Sequence, residues 1–226
     1  MIRPLPGSVR HPYKAVLFDL DGTLLNTLED LADATNAALA ELGLPGHPLE
    51  AYKQFVGDGM ENLVRRAMRQ ERLDDALLAR GIELTRHEYA GRWAEKARPY
   101  PGIPDLLDGL SRRGIPMAVF SNKPDEFTRL CVTRLLPGWH FAVVQGATPD
   151  LPLKPDPHGA WAVADRMGVA PGEILYLGDT NTDMQTAVAA GMFPVGALWG
   201  FRTADELLAA GAAALAASPA EVLLWM

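Results

Sequence analysis

Short apolar runs alternate with segments of helical periodicity along most of the chain. Five runs have the composition of buried strands and are bounded by Gly, Pro or charged residues. They cover residues 15–18, 115–120, 141–144, 174–177 and 193–197. Between them, helical spacing of apolar residues is seen at 103–113, 126–136, 159–167 and 183–190. Strands that alternate with helices predict an α/β fold with a Rossmann-like, doubly wound parallel sheet, covered on both faces.

One long interval breaks this alternation. From about residue 28 to 98 the periodicity is helical throughout, and no convincing β-branched run occurs. Helices are predicted at 28–42, 61–69, 74–79 and 82–94. We therefore predict a core domain from 13–24 and 99–226, with an all-helical cap domain inserted at 25–98. Residues 1–12 are predicted to be a flexible N-terminal extension, and the Ala-rich stretch 209–217 a closing helix.

Composition narrows the class of protein. A chain of 226 residues can hold one sizeable core and a smaller accessory domain, and 48% apolar with 22% charged residues is ordinary for a soluble globular protein. The net charge of -7, with scattered Lys and Arg, argues against a nucleic-acid partner. Cys131 is the only cysteine, and neither a typical signal peptide nor a membrane-spanning run is recognisable. We expect a cytoplasmic protein without a membrane partner, either a monomer or a homodimer.

Carboxylates, a hydroxyl and a lysine follow the predicted strands. In an open parallel sheet, ligands bind outside the carboxyl ends of the strands, where the strand order reverses. The residues expected there are Asp19 and Asp21, then Ser121, Asn122 and Lys123, then Lys154, and finally Asp179 and Asp183. Carboxylates that converge in a partly buried site repel one another, and a hard cation with oxygen ligands relieves that repulsion. Mg²⁺ is therefore the expected cofactor. Asp183, taken alone, is equally compatible with capping a helix.

This arrangement resembles the haloacid dehalogenase superfamily of phosphotransferases. The resemblance covers about residues 13–224, and its four motifs occur in the family's order. The motifs are Asp19-Leu20-Asp21-Gly22-Thr23, Ser121 after Val119-Phe120, Lys154-Pro155, and Gly178-Asp179-Thr180-Asn181-Thr182-Asp183. The resemblance implies a phosphatase that acts on a small phosphorylated metabolite.

The resemblance also implies roles for single residues. Asp19 would attack phosphorus and form an aspartyl-phosphate, and Asp21 would act as general acid and base. Mg²⁺ would be held by the side chains of Asp19 and Asp179 and by the backbone carbonyl of Asp21. Asp183 would support the site by orienting Lys154 or water on the metal. The expected phosphate-binding residues are Thr23, Ser121, Asn122 and Lys154.

Segments of the predicted cap and core resemble the phosphoglycolate phosphatase subfamily. One is the Gly-rich stretch 54–60, in which Gly57, Asp58 and Gly59 are predicted substrate contacts. A plain interhelical turn explains its composition equally well. The other is Ser121-Asn122-Lys123-Pro124. Arg65 and Arg66 are candidates for binding a substrate carboxylate, or else face solvent.

The sequence disfavours other activities that occur on this fold. The acid at Asp21 disfavours carbon–halogen cleavage, since dehalogenases of this superfamily lack it. Phosphonoacetaldehyde hydrolases need a cap lysine, and Lys53 is the only lysine early in the cap. The main alternative is an isomerase of the β-phosphoglucomutase type, although Gly57-Asp58-Gly59-Met60 stands where an Arg-containing loop is usual. A non-catalytic phosphate-binding protein is the second alternative.

Overall fold

A computed structural model describes residues 13–68 and 74–226 of the chain. The predicted N-terminal extension, residues 1–12, lies outside the described residues. Within the described part, six strands form a parallel sheet in the order β5-β4-β1-β6-β7-β8, and β2 pairs with β3. The strands are β1 (Ala15–Phe18), β2 (Leu25–Asn26), β3 (Arg98–Pro99), β4 (Met117–Pro124), β5 (Val143–Ala147), β6 (Ile174–Gly178), β7 (Phe193–Ala197) and β8 (Ala214–Ala216).

The predicted parallel α/β sheet is confirmed. All five predicted strands are present, and the second extends further than its apolar run because residues up to Pro124 still pair with β5 after a shift in register. The sixth strand, β8, lies in the stretch predicted as a closing helix, so that prediction was wrong. The preceding helix ends before Gly211, whose φ of +106° is incompatible with a continuing helix. The residues beyond it pair with β7 at the sheet edge, where pairing overrides the helix propensity of alanine.

Ten helices accompany these strands in the described residues. The four between β2 and β3 are α1 (Leu28–Glu41), α2 (Leu49–Phe55), α3 (Met60–Met68) and α4 (Asp75–Arg92). The others are α5 (Ile103–Arg112), α6 (Asp125–Leu135), α7 (His158–Met167), α8 (Asn181–Ala190), α9 (Ala204–Ala209) and α10 (Pro219–Val222). The four helices predicted between core strands are all confirmed within a residue or two at each end, the usual uncertainty of helix boundaries.

Two predictions for the inserted helices need correction. The helices predicted at 74–79 and 82–94 form the single helix α4, and α2 was not predicted at all. Gly81 does not break α4. A Cβ built there would lie 3.0 Å from Met68 Sδ and 3.1 Å from Val64 Cγ1, so the glycine allows α3 and α4 to pack closely. The apparent interruption of the pattern is therefore a helix-packing contact.

The period-two alternation of β1 divides the core between the two faces of the sheet. Val16 and Phe18 pack in a cluster with Leu106 of α5, whereas Leu17 packs in a second cluster with Val163 of α7. A third cluster lies mostly among the inserted helices. It includes Leu31, Tyr52, Leu63, Tyr89 and, from the core side, Phe127 and Phe201.

The two chain crossings between the sheet region and the inserted helices lie side by side. Leu25 pairs with Pro99 and Asn26 with Arg98, antiparallel. The boundaries at 25 and 98 stay a prediction. Among the described residues, no helix combines the length and apolar character needed to cross a membrane.

Candidate active site

The predicted site residues meet where the strand order reverses. β1 has β4 on one side and β6 on the other, so the chain builds one half of the sheet and then returns to the opposite side of β1. The carboxyl ends of these three strands carry Asp19, Ser121 and Asp179 respectively. Lys154 reaches them from the loop after β5. All four residues are at least 95% buried.

The ammonium of Lys154 links two of the carboxylates. It donates hydrogen bonds of 2.8 Å to Asp19 Oδ1 and 2.6 Å to Asp183 Oδ1, and one of 3.3 Å to the carbonyl of Phe120. Burial alone would lower the pKa of Lys154, but Asp183 and Asp19 raise it well above its usual value. Lys154 therefore stays charged beside the predicted nucleophile.

Asp179 is fixed by two hydrogen bonds. Thr23 Oγ1 donates to Asp179 Oδ1 at 2.8 Å, and the backbone N–H of Phe201 donates to Oδ2 at 2.8 Å. Glycines allow the surrounding chain to come this close: a Cβ at Gly22 would lie 2.3 Å from Asp179 Oδ2, and one at Gly200 2.2 Å from Asp179 Cβ. In the structure, Thr23 therefore binds Asp179. A contact between Thr23 and phosphate stays a prediction.

Three buried carboxylates converge in a manner that suits a divalent cation. Oxygens of Asp19, Asp179 and Asp183 lie within 4.8 Å of one another. Burial, then the charge of Asp183, raises the pKa of Asp19 to about 7, against the lowering effect of Lys154. Burial and both neighbouring carboxylates raise the pKa of Asp179 well above its usual value. One lysine does not balance three acids, and the donors are all hard oxygens, so the residues fit Mg²⁺.

Asp183 performs both of the roles that its sequence position allowed. Its Oδ2 accepts hydrogen bonds from the backbone N–H of Thr180 at 3.0 Å and from Thr180 Oγ1 at 2.6 Å, which completes a capping box on α8. Its Oδ1 accepts from Lys154. The same carboxylate therefore starts the helix and orients the lysine.

Asp21, the predicted general acid and base, is held by Lys123, which the sequence placed at this edge of the sheet without a role. Lys123 Nζ lies 2.9 Å and 3.2 Å from the two carboxylate oxygens of Asp21, and Thr27 Oγ1 donates to Oδ1 at 2.6 Å. Burial disfavours the charge of Lys123, but Asp21 raises the pKa of Lys123 above its usual value. The signal in the sequence was the position of Lys123 two residues after Ser121. Side chains two residues apart in a strand lie on the same face, so both can reach a site at the end of that strand.

Asn122 connects three segments around the site. Its Nδ2 donates to the carbonyls of Gly57 and Lys154, both at 3.1 Å, and its Oδ1 accepts from the Lys154 backbone N–H at 2.8 Å. Ser121 Oγ accepts from the Lys123 backbone N–H at 3.2 Å. The binding of phosphate by Ser121 and Asn122 stays a prediction. In the structure, Asn122 connects the loop of Lys154 to the inserted helices through hydrogen bonds.

The Gly-rich loop between α2 and α3 divides its contacts between two sides. Gly57 and Gly59 line a cavity over Asp19, while the Asp58 carboxylate pairs with Arg66 and accepts from Thr182 Oγ1 of α8. Burial raises the pKa of Asp58, but these two hydrogen bonds and the charges of Arg66 and Arg202 together hold the pKa below its usual value. Arg66 is thus engaged with Asp58, and its fellow candidate Arg65 pairs with Glu61 at 2.8 Å.

The cavity over Asp19 is small, about 40 Å³. Asp19, Asp21 and Ser121 form part of its floor, and Leu31, Met60 and Leu63 of the inserted helices form part of its roof. A space of this size holds a few water-sized groups. The arrangement can exclude bulk water from Asp19 while a small ligand occupies the cavity.

Comparison with known proteins agrees with this geometry. The sequence model of the haloacid dehalogenase-like hydrolases matches residues 16–197. A phosphoglycolate phosphatase of Pseudomonas putida is 38% identical over 192 residues, which are 83% of this chain and 70% of that protein. A phosphoglycolate phosphatase of Thiobacillus denitrificans is 37% identical over 187 residues, which are 80% of this chain and 81% of that protein.

The fold is also shared with solved structures. A haloacid dehalogenase-like family hydrolase from Streptococcus pneumoniae superimposes with a TM-score of 0.82 at 26% identity, over 94% of this chain and 97% of that one.

Proposed function

This chain belongs to the haloacid dehalogenase-like hydrolase family, and we propose that it is a Mg²⁺-dependent phosphatase that hydrolyses a small phosphomonoester through an aspartyl-phosphate on Asp19. The observation that carries the proposal is the pair of acids at the end of β1. Asp19 is bound to Lys154 among the clustered carboxylates, and Asp21 faces the same cavity without belonging to that cluster.

The two acids are suited to different steps. Asp19 Oδ1 accepts the hydrogen bond from Lys154, and an oxygen of this carboxylate attacks phosphorus while the bond to the leaving oxygen breaks. Asp21, in its protonated form, gives its proton to that leaving oxygen. It then takes a proton from the water that attacks the aspartyl-phosphate, which releases inorganic phosphate and restores Asp19.

Positive charge near the phosphoryl group supports both steps. When bound, Mg²⁺ neutralises charge on the phosphoryl oxygens and keeps Asp19 ionised. Lys154 contributes the second positive charge from a buried position, where electrostatic interactions are less screened than in water. The fixed contacts of Lys154 and Asp179 mean that little reorganisation is needed when substrate enters.

A phosphoglycolate-like substrate is the best fit to the cavity. Relatives that are identical to this chain at more than a third of the aligned positions are named phosphoglycolate phosphatases. The cavity of about 40 Å³ suits a leaving group of two carbons better than a hexose that must turn over between two phosphoryl transfers. We therefore propose hydrolysis rather than isomerisation.

The proposal needs no partner beyond the small phosphorylated metabolite. Because the net charge is -7, the chain as a whole repels anions, and cations within the site must attract the phosphate. The same net charge disfavours the binding of nucleic acid. We propose a cytoplasmic enzyme that works as a monomer or a homodimer.

Phosphate release from a panel of phosphomonoesters tests the proposal. The panel contains 2-phosphoglycolate, hexose phosphates, nucleotides and pyrophosphate, each with and without Mg²⁺. We expect Mg²⁺-dependent release that is highest for 2-phosphoglycolate and absent in Asp19→Asn. Asp165→Asn, on the exposed face of α7, serves as the matched control and should keep wild-type activity. Full activity of Asp19→Asn, or activity that ignores Mg²⁺, would show the proposed chemistry to be wrong.

A further inference from the structure

Lys123 is a buried cation that the proposed hydrolysis of the phosphate ester does not itself require. Lys154 is the lysine next to Asp19, whereas Lys123 stands at the end of β4 on the side of Asp21. Its side chain is 3% exposed. Keeping a second lysine charged at this depth costs desolvation free energy, and Asp21 supplies the opposing charge.

The surroundings of Lys123 combine one acid with apolar and aromatic groups. Asp21 lies on one side, and the ring of Tyr89, from α4, lies 4.6 Å from Nζ on another. The cavity in front of it is roofed by aliphatic side chains of the inserted helices. Within the described lining, Lys123 supplies the one cationic side chain. An anionic group that enters this cavity therefore meets a charge that water screens poorly.

The position of Lys123 relative to Asp21 defines where such an anion would sit. Asp21 must reach the leaving oxygen of the substrate, and Lys123 Nζ lies within 3.2 Å of both carboxylate oxygens of Asp21. A group attached to the carbon that bears the leaving oxygen is thus brought next to the ammonium. The ammonium has three N–H donors, and the two oxygens of Asp21 need no more than two of them.

We propose that Lys123 determines substrate specificity by binding a carboxylate on the carbon next to the leaving oxygen. This inference rests on the proposed phosphatase function and deepens it: the substrate class is a phosphomonoester of a 2-hydroxy acid. Arg65 and Arg66 pair with Glu61 and Asp58 and are not part of the described cavity lining, whereas Lys123 is.

The test compares two substrates of the same shape, 2-phosphoglycolate and its uncharged amide. In the wild-type enzyme, kcat/KM should be higher for the carboxylate. In Lys123→Met, which keeps the length of the side chain, this preference should fall by about 30-fold or more, mostly through KM, since truncating a buried charge pair costs at least about 2 kcal/mol. Lys123→Arg, which keeps the charge, should retain part of the preference.

Lys14→Met is the matched control, because Lys14 is exposed and precedes β1 at the end of the strand away from Asp19. It should keep both the activity and the preference. If Lys123→Met lowers turnover of both substrates equally, Lys123 acts only through Asp21 and the inference is overturned. If the wild-type enzyme hydrolyses neither compound, the proposed function itself fails, which is a different result. A wild-type enzyme that hydrolyses both equally well would keep the phosphatase and overturn the role of Lys123.

Discussion

Lys154 Nζ and Asp183 Oδ1 lie 2.6 Å apart, although one residue belongs to the loop after β5 and the other to the first turn of α8. The contact joins the predicted phosphate-binding lysine to the acid whose role the sequence left open. Because Asp183 also caps α8, the direction of that helix fixes the lysine beside Asp19.

Asp183→Asn tests whether this contact serves catalysis. We expect kcat to fall by about tenfold to a hundredfold, since partners that orient a catalytic group typically contribute that much. Glu206→Gln is the matched control, because Glu206 closes the same kind of capping box on α9. Steady-state kinetics and thermal unfolding of both variants separate the two roles. An equal loss of activity in both would mean that Asp183 acts only as a helix cap.

The carboxylate cluster predicts that a rise in pH lowers the stability of the metal-free protein and strengthens the binding of Mg²⁺. The pKa of Asp19, about 7, lies above its ordinary value of 3.8, so between these pH values the folded protein holds a proton that the unfolded chain has released. This site therefore stabilises the metal-free protein at low pH and loses that stabilisation as the pH rises through about 7. Mg²⁺ competes with the proton and should bind more strongly as the pH rises.

Thermal unfolding with and without Mg²⁺ measures this effect. The rise in Tm caused by Mg²⁺ is expected to grow between about pH 5 and about pH 8, where Asp19 loses its proton. In Asp19→Asn the rise should be much smaller, because the ionising ligand is gone. A rise in Tm that is the same at every pH would contradict the assignment of Asp19 to the cation site.

Gly200→Ala should weaken metal binding without replacing a ligand. The new Cβ would lie 2.2 Å from Asp179 Cβ, so Asp179 must move away from the cluster. We expect at least about a tenfold loss in Mg²⁺ affinity, measured by calorimetric titration. Gly138→Ala, where a Cβ meets nothing within 4 Å, is the control. Unchanged affinity in Gly200→Ala would mean that Asp179 does not hold the metal.

Arg202 offers a test of how the inserted helices are held over the site. Arg202 is 8% exposed, and its guanidinium donates hydrogen bonds to the carbonyls of Lys53 and Val56. Arg202→Met leaves these carbonyls without that donor, and we expect a loss of about 1–3 kcal/mol in the free energy of unfolding. Hydrogen exchange at residues 53–60 should increase, and KM should rise several-fold.

Arg134→Met is the comparison for this variant, because Arg134 is exposed on α6. It should leave unfolding, exchange and KM as in the wild type. If Arg202→Met behaves like Arg134→Met, the loop over the cavity is held by Asn122 and Asp58 without help from Arg202.

Local pattern was sufficient for most of the core. The apolar runs of β1, β6 and β7 have their predicted bounds to within a residue, because strands buried on both faces require continuous apolar residues. The pattern failed where neighbours decide. β8 is an alanine-rich edge strand that only its pairing with β7 defines, and α4 appears broken at Gly81 only until α3 is packed against it.

The sequence by itself determined five of the six strands of the described sheet, the order of the motifs and which acids stand at the strand ends, since these follow from short-range periodicity and spacing. Only the tertiary structure decided which side chains pair. Lys123 and Lys154 are both buried lysines, yet one binds Asp21 and the other binds Asp19 and Asp183. The order of strands around β1 sets the distances between these side chains. A hydrogen bond is sensitive to differences in distance of a few tenths of an ångström, which no local sequence pattern contains.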